Sequence, residues 1–484
     1  MTRPASARWL CLLAALAAAV WLWACWCVFP VSAWNDVRLA PAFALAHGTP
    51  LYPGENSGAV GTWIYGPLPP LLLWPATRAS STARAILTAG ALNLFVTVGA
   101  IAAVCAAWPA PAGRTLRPID RLLAATLAIA LWPGATFQYI QADNFAVALG
   151  LVGNLLLVRT QTNAGRWGAA ALAVAGLACK QTSLGVAVAQ IVWLGAVAGR
   201  GAAWRHLGRC ALLGLAGGAT IVGAFGWAQI RLNLFILPPA LPWTDEPVRR
   251  LLILAPELSI HLLLPALVLL LCRRAVWARE SPLLLPSLAW LFALPPGLLS
   301  LMKIGGNINS LQGFTLWLPV ALLVGLAAAR GARRASWLLA GAAMVTVALC
   351  GTRLAGLSSP PWRPLVEHYR QADYLARSFP GQIWFPWNPL VTIYSDNRFY
   401  HGEDGLYVRF LAGHALTQDH ARSHLPPQMC VIALPRGAAD WGIALSLLPA
   451  GARRTEFSLW TLYSWPPGPA AAAPPAAPPA APRD

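Results

Sequence analysis

Few polar side chains in this chain have a type and setting that could do chemistry. Two are acids: Asp36, in Trp34-Asn35-Asp36-Val37-Arg38, and Asp143, in Gln141-Ala142-Asp143-Asn144. Asp36 follows the first apolar run and is predicted to be water-facing and easily ionised, where a carboxylate can take a proton from a hydroxyl as general base. Asp143 opens a later apolar run, so it is either a helix-start residue favoured by the macrodipole or a second acid that orients a substrate or holds a divalent ion beside Asp36. Of 35 Lys plus Arg, only Lys180 and Lys303 are lysine. An ammonium is a compact, rotatable point charge suited to a phosphate on a mobile lipid; the plainer alternative is two lysines snorkelling at helix ends. Gln181 follows Lys180, and Lys303 opens a stretch with Gly305, Gly306, Asn307, Asn309 and Gln312, whose amides suit sugar hydroxyls.

These residues need a scaffold, and the composition says which kind. The 484 residues are 57% hydrophobic and 11% charged, too apolar for a soluble surface, so the chain is read as an all-α polytopic membrane protein. Apolar runs at 9–29, 83–108, 122–133, 144–158, 167–178, 184–198, 210–230, 256–272, 283–301, 314–329 and 335–350 predict roughly eleven transmembrane helices, several of them short. The first run is read as an anchor; the alternative is a signal peptide cleaved near Val31-Ser32-Ala33.

The formal net charge of +18 does not point to nucleic acid. The arginines fall in clusters between apolar runs (Arg114, Arg117 and Arg121; Arg159 and Arg166; Arg200, Arg205 and Arg209; Arg273, Arg274 and Arg279) rather than along one basic face. All these clusters fall on one side, cytoplasmic by the positive-inside rule. The acids, the lysines and the C-terminus are then expected outside. Arg249 and Arg250 break the pattern, either as partners of Asp245 and Glu246 or as anion ligands.

Residues 34–82 form the first outer loop, with Pro41 to Pro53 and Trp63 to Trp74 read as interfacial helices anchored by Trp63, Tyr65 and Trp74. The order of acid, short helix, Gly48-Thr49-Pro50-Leu51-Tyr52-Pro53 and Tyr65-Gly66-Pro67-Leu68 resembles the GT-C membrane glycosyltransferases, and best their bacterial polyprenyl-phosphate-mannose-using branch. The resemblance implies Asp36 as catalytic acid, a polyprenyl-phosphate sugar donor, a glycan, lipid or protein acceptor, and a bacterial inner membrane. Asn35 stands where some members carry a paired acid, which counts against a two-carboxylate metal site; magnesium or manganese stays open as a cofactor. Gln141 and Asn144 resemble the Gly-Gln-x-Asn element of that branch without its glycine.

The transmembrane domain is read as 1–352. Residues 353–465 have the composition of a small extracytoplasmic α/β domain, with a helix at Leu365 to Phe379, strands at Gln382 to Phe385, Met429 to Leu434 and Glu456 to Tyr463, and a loop from Tyr394 to His401 that could face the acceptor; 466–484 is a Pro/Ala-rich tail. The nine cysteines make no disulfide framework, zinc spacing is absent, and no P-loop, dinucleotide fingerprint or nucleophile elbow occurs in supporting context. The expected activity is inverting sugar transfer, with Asp36 as base and Lys180 or Lys303 on the departing phosphate. The rivals are a lipid-linked-sugar flippase and a non-catalytic assembly subunit.

Overall fold

The computed structural model describes residues 5–28, 33–61, 63–111, 114–133, 139–160, 162–329, 332–356, 365–437 and 442–466. The Val31-Ser32 cleavage pair, most of the turn before Gln141 and the tail beyond Trp465-Pro466 lie outside them. Helix α1 (Ala5–Val28) is followed by α2 (Ala33–Ala46), then α3 (Thr82–Ala107), α4 (Pro118–Leu131), α5 (Ala142–Arg159), α6 (Asn163–Cys179), α7 (Leu184–Ala198) and α8 (Arg200–Phe225). Helix α9 (Pro247–Leu258) continues through a π-turn at Ser259–Leu263 to Leu271, before α10 (Leu284–Leu301), α11 (Trp317–Ala328) and α12 (Ala332–Gly356).

All eleven expected runs are helical, but among the described residues nine helices are long and apolar enough to cross a membrane. The exceptions are α4 and α6, with 14 and 17 residues. At 1.5 Å per residue they reach roughly 21 and 25 Å, short of a hydrocarbon core of about 30 Å. Helix α4 compensates by burial, with nine of its residues inside the bundle. Local signals set the helix ends: Ser81 accepts from Arg84 N–H, Thr162 from Gly165 N–H, and Pro118 opens α4. Gly199, at φ +87°, separates α7 from α8 without the steric cost a Cβ would bring.

The expected start of the soluble domain at 353 moves outward. Helix α12 runs to Gly356, and Arg353 is tied back into the bundle by hydrogen bonds of 2.9 and 3.2 Å to Glu257. The soluble domain comprises α13 (Leu365–Ser378), β1 (Ile383–Trp384), α14 (Pro389–Asp396), α15 (Glu403–Leu411), α16 (Gln418–Ser423) and strands β2 (Val431–Pro435), β3 (Arg453–Phe457) and β4 (Trp460–Ser464). The sheet order is β1-β2-β4-β3, with β1 parallel to β2 and the other pairs antiparallel. The run read as one strand at Glu456 to Tyr463 is a hairpin, turning where Ser458 takes φ +51°. No Gly or Asn marks that turn, and a β pattern continues through it.

The soluble domain is not a separate bead. Leu39 and Phe43 of α2, Ile86 of α3, Tyr369 and Leu375 of α13, Leu390 of α14 and Trp460 of β4 form one buried cluster. The first outer loop is thus core to two domains at once. Trp63, expected as a headgroup anchor, is 3% exposed and packs with Leu51, Tyr52, Ala142 and Ile230. The segment Tyr394 to His401, expected as loop, is helical to Asp396, and Tyr394 donates to the carbonyl of Ala79 at 2.8 Å.

Candidate active site

Helix α6 packs back along α5, so residues at the start of α5 meet those at the end of α6. That antiparallel pairing brings Asp143, in the first turn of α5, to Lys180, the C-cap of α6. Lys180 Nζ donates to Asp143 Oδ1, and Asn309 Nδ2 donates to Asp143 Oδ2 at 3.0 Å. Asn309 comes from the 3-10 helix Ile308–Phe314, whose start is capped by Asn307 Oδ1 accepting from Ile308 N–H at 2.7 Å.

The first outer loop supplies the aromatic wall. Gly66 passes so close to α6 that a Cβ there would lie 1.9 Å from the carbonyl oxygen of Ala178. This approach seats the neighbouring Tyr65 ring 5.3 Å from Lys180 Nζ, a cation–π contact. The segment is pinned further by Gln181 Nε2 donating to Ile64 O at 3.0 Å and by Tyr52 donating to Tyr65 O at 2.7 Å. On the same ring, 5.2 Å away, sits the guanidinium of Arg38 from α2.

Below the pair a cleft runs between α5, α10 and the start of α7. Along α5 it is lined by Asp143, Val147, Gly150, Leu151 and Asn154, one face of the helix, and so descends roughly 16 Å. The opposite wall is the Ala289, Ala293 and Gly297 face of α10. At the floor Asn154 Oδ1 accepts from Gln190 at 3.1 Å, and Gln190 Oε1 meets His206 Nε2 at 3.0 Å. The cleft therefore has an ionic outer mouth, apolar walls of small residues and a fixed polar floor.

Asp36 lies elsewhere. It is 0% exposed, its Oδ1 accepts from Leu390 N–H at 2.8 Å, and its Oδ2 accepts from Tyr369 at 2.8 Å and Asn388 at 3.2 Å. Burial pushes its carboxyl up to about 7, against the opposing pull of those three donors. The expectation of a cheaply ionised, water-facing acid is overturned: the soluble domain covers Asp36. Asn35 Oδ1 accepts from Ile140 N–H at 2.9 Å and ties α2 to the segment before Asp143.

Lys303 also lies outside the cleft. Its ammonium donates to the carbonyls of Pro238, Pro239 and Leu241 and packs 5.0 Å from the Trp243 ring. Those bonds use all three donors of an ammonium. Arg250 donates to Gly306 O, and Arg249 pairs with Glu246 at 2.7 Å, the ion-pair alternative. Asn307 caps its helix, and Gln312 is buried at 1% exposure. Of the residues singled out in sequence, Asp143, Lys180, Asn309, Tyr65 and Gln181 come together; Asp36, Lys303, Asn307, Gln312, Arg249 and Arg250 do not join them.

A divalent ion between Asp36 and Asp143 does not fit this donor set. Each carboxylate faces N–H or O–H donors, Lys180 and Asn309 on Asp143 and Tyr369, Asn388 and Leu390 on Asp36, which present positive charge where a cation would sit. Among the described residues no group of three or more His, Cys, Asp or Glu could hold a metal.

No protein-family model and no curated protein matches the sequence. One solved structure, ArnT from Cupriavidus metallidurans bound to undecaprenyl phosphate, aligns over 94% of this chain and 98% of that one, with a TM-score of 0.57 at 12% identity. The fold is that of ArnT. The likeness is one of fold: a helical domain with several helices long and apolar enough to cross a membrane, followed by a small α/β domain at its C-terminal end. Arg38, which sequence reasoning passed over, stands beside the mouth of the cleft, on the Tyr65 ring that also meets Lys180. Its signal was proximity to the first-loop acid, but what gives it a place at the mouth is the fold.

Proposed function

We propose that the protein is a membrane glycosyltransferase that moves a sugar from a polyprenyl-phosphate donor to an acceptor hydroxyl. The observation that carries this reading is the cleft itself: a carboxylate and an ammonium at the mouth of an apolar slot suit a lipid with one anionic head. The fold it shares with a protein solved in complex with undecaprenyl phosphate supports the same substrate class. Lys180 takes the donor phosphate, and the isoprenoid lies along Gly150, Ala293 and Gly297.

The base role passes from Asp36 to Asp143. The donor phosphate draws Lys180 from its partner, leaving the Asp143 carboxylate, still held by Asn309, to accept a proton. The acceptor oxygen attacks the anomeric carbon opposite the phosphate, the bond from that carbon to the phosphate oxygen breaks, and configuration inverts. Lys180 meets the negative charge that grows on the departing lipid phosphate.

The arginine-bearing C-terminal end of α5 and N-terminal end of α8 lie at the far end of the bundle from Asp143, which favours an extracytoplasmic site and soluble domain in a bacterial plasma membrane. The test is purified protein given a panel of polyprenyl-phosphate sugars, mannose first because of the first-loop order. Transfer by wild type, with loss in Lys180→Ala, supports the reading; no transfer from any donor, with lipid-linked sugar crossing vesicle membranes instead, sinks it.

A further inference from the structure

Arg38 is a cation with an incomplete set of contacts. It lies two residues beyond Asp36 on α2, but points away from that acid's seam. Its guanidinium is sandwiched 5.6 Å from the Trp34 ring and 5.2 Å from Tyr65, the ring that also carries Lys180. Asp404, in the first turn of α15, approaches it at 3.7 Å, an ion-pair distance too long for a hydrogen bond. Asp143 is near enough to act on it electrostatically. Buried Nη1 meets no hydrogen-bond acceptor among the described residues. An unmade hydrogen bond on a buried charged group is costly, so such groups normally have a partner.

We infer that Arg38 is the second cation of the lipid-phosphate site, and that Asp404, delivered by the soluble domain, positions it there. This rests on the reading that the cleft takes a lipid phosphate. The aromatic faces hold the guanidinium, Tyr65 takes a hydrogen bond from it, and the Asp404 contact falls on Nη2, so Nη1 is the donor left to turn toward an oxygen arriving at Lys180. A planar fork beside a point charge holds a phosphate from two directions. Both cations thus come from the first 180 residues, and the soluble domain supplies the carboxylate that positions the second of them.

Binding of a short polyprenyl monophosphate to the purified full chain, followed by tryptophan fluorescence, tests this, with sugar-transfer kinetics measured beside it. Arg38→Gln should weaken binding by about ten- to a hundred-fold, the size of one charge-assisted hydrogen bond. Asp404→Asn should weaken it by less, raising the donor KM while leaving kcat near wild type, and should add nothing in an Arg38→Gln background. Should Arg38→Gln fail to fold, Arg38→Lys keeps the charge without the fork and should fall between wild type and the loss set for Arg38→Gln. Wild-type affinity in folded Arg38→Gln or Arg38→Lys overturns the assignment, and additive loss in the double variant overturns the role of Asp404. Failure of wild-type protein to bind the lipid phosphate would instead defeat the reading of the cleft.

Discussion

The seam between α2 and the soluble domain and the mouth of the cleft each hold a buried aspartate, and they treat it in opposite ways. At the seam Asp36 faces neutral donors from α13, α14 and the residue between β1 and α14, all fixed by their own packing. At the mouth Asp143 faces one fixed amide and one ammonium on a rotatable stem. A carboxylate whose partners cannot leave is a fastener. One whose partner can be exchanged for an incoming anion can do chemistry, because its bonding changes as substrate arrives.

The sharpest way to break this comparison is Asp143→Asn. If Asp143 is the base, sugar transfer should fall by about 10²- to 10⁴-fold, the usual contribution of a general base, with thermal stability near wild type. Near-normal turnover would return the role to some other group.

Asp36→Asn should do the reverse, losing stability while the folded fraction still transfers sugar. Replacing one carboxylate oxygen by an NH₂ sets it against Leu390 N–H or the Tyr369 and Asn388 donors, a loss of about 1–3 kcal/mol for a buried donor left unmatched. The pH dependence adds a signature. The folded-state carboxyl sits at about 7, above its ordinary 3.8, so the folded state binds this proton more tightly than the unfolded one. Stability from this group is present below about 4 and is lost as pH rises through 7. The fall in wild-type Tm between pH 5 and 8 should flatten in Asp36→Asn. Abolished turnover in well-folded Asp36→Asn would instead restore Asp36 as the base.

Gly66→Ala tests how the loop serves the site. A methyl 1.9 Å from the Ala178 carbonyl must push the Tyr65 segment off α6, at a cost of about 1–3 kcal/mol for overpacking. Donor affinity should fall along with Tm, because the Tyr65 ring touches both Lys180 and Arg38. A lowered Tm with unchanged donor affinity would separate the ring from binding.

The same contrast explains what could be read from sequence. Apolar runs report helices because burial in lipid is a property of each run by itself; the pairing of Asp143 with Lys180 escaped the sequence reading because it depends on α6 lying back along α5. The fate of Asp36 was hidden because its partners lie more than 330 residues away in the chain, on the domain that covers it. The Ser458 turn was hidden for a local reason, since the residue adopting positive φ there is not one that favours it. Asp404 could be linked to Arg38 only through the fold, which sets the first loop against α15.

The two lysines give the smallest expected effect and the cleanest control. Rarity singled out both, yet Lys180 has one carboxylate partner over a cleft and Lys303 has three backbone carbonyls at the end of the Leu237–Ala240 turn. Burial lowers the Lys303 ammonium's pKa from its ordinary value, and no anion among its hydrogen-bond partners offsets that. Lys303→Ala should leave donor KM and kcat at wild-type values and reduce stability by about 1 kcal/mol, the scale of a partly exposed hydrogen-bonded group. Lys303→Arg should recover little of that loss, since a planar fork cannot reach three carbonyls arranged around a point. A rise in donor KM for Lys303→Ala, with Tm unchanged, would move the phosphate site to the Trp243 side of the bundle and leave the Asp143–Lys180 mouth without its proposed ligand.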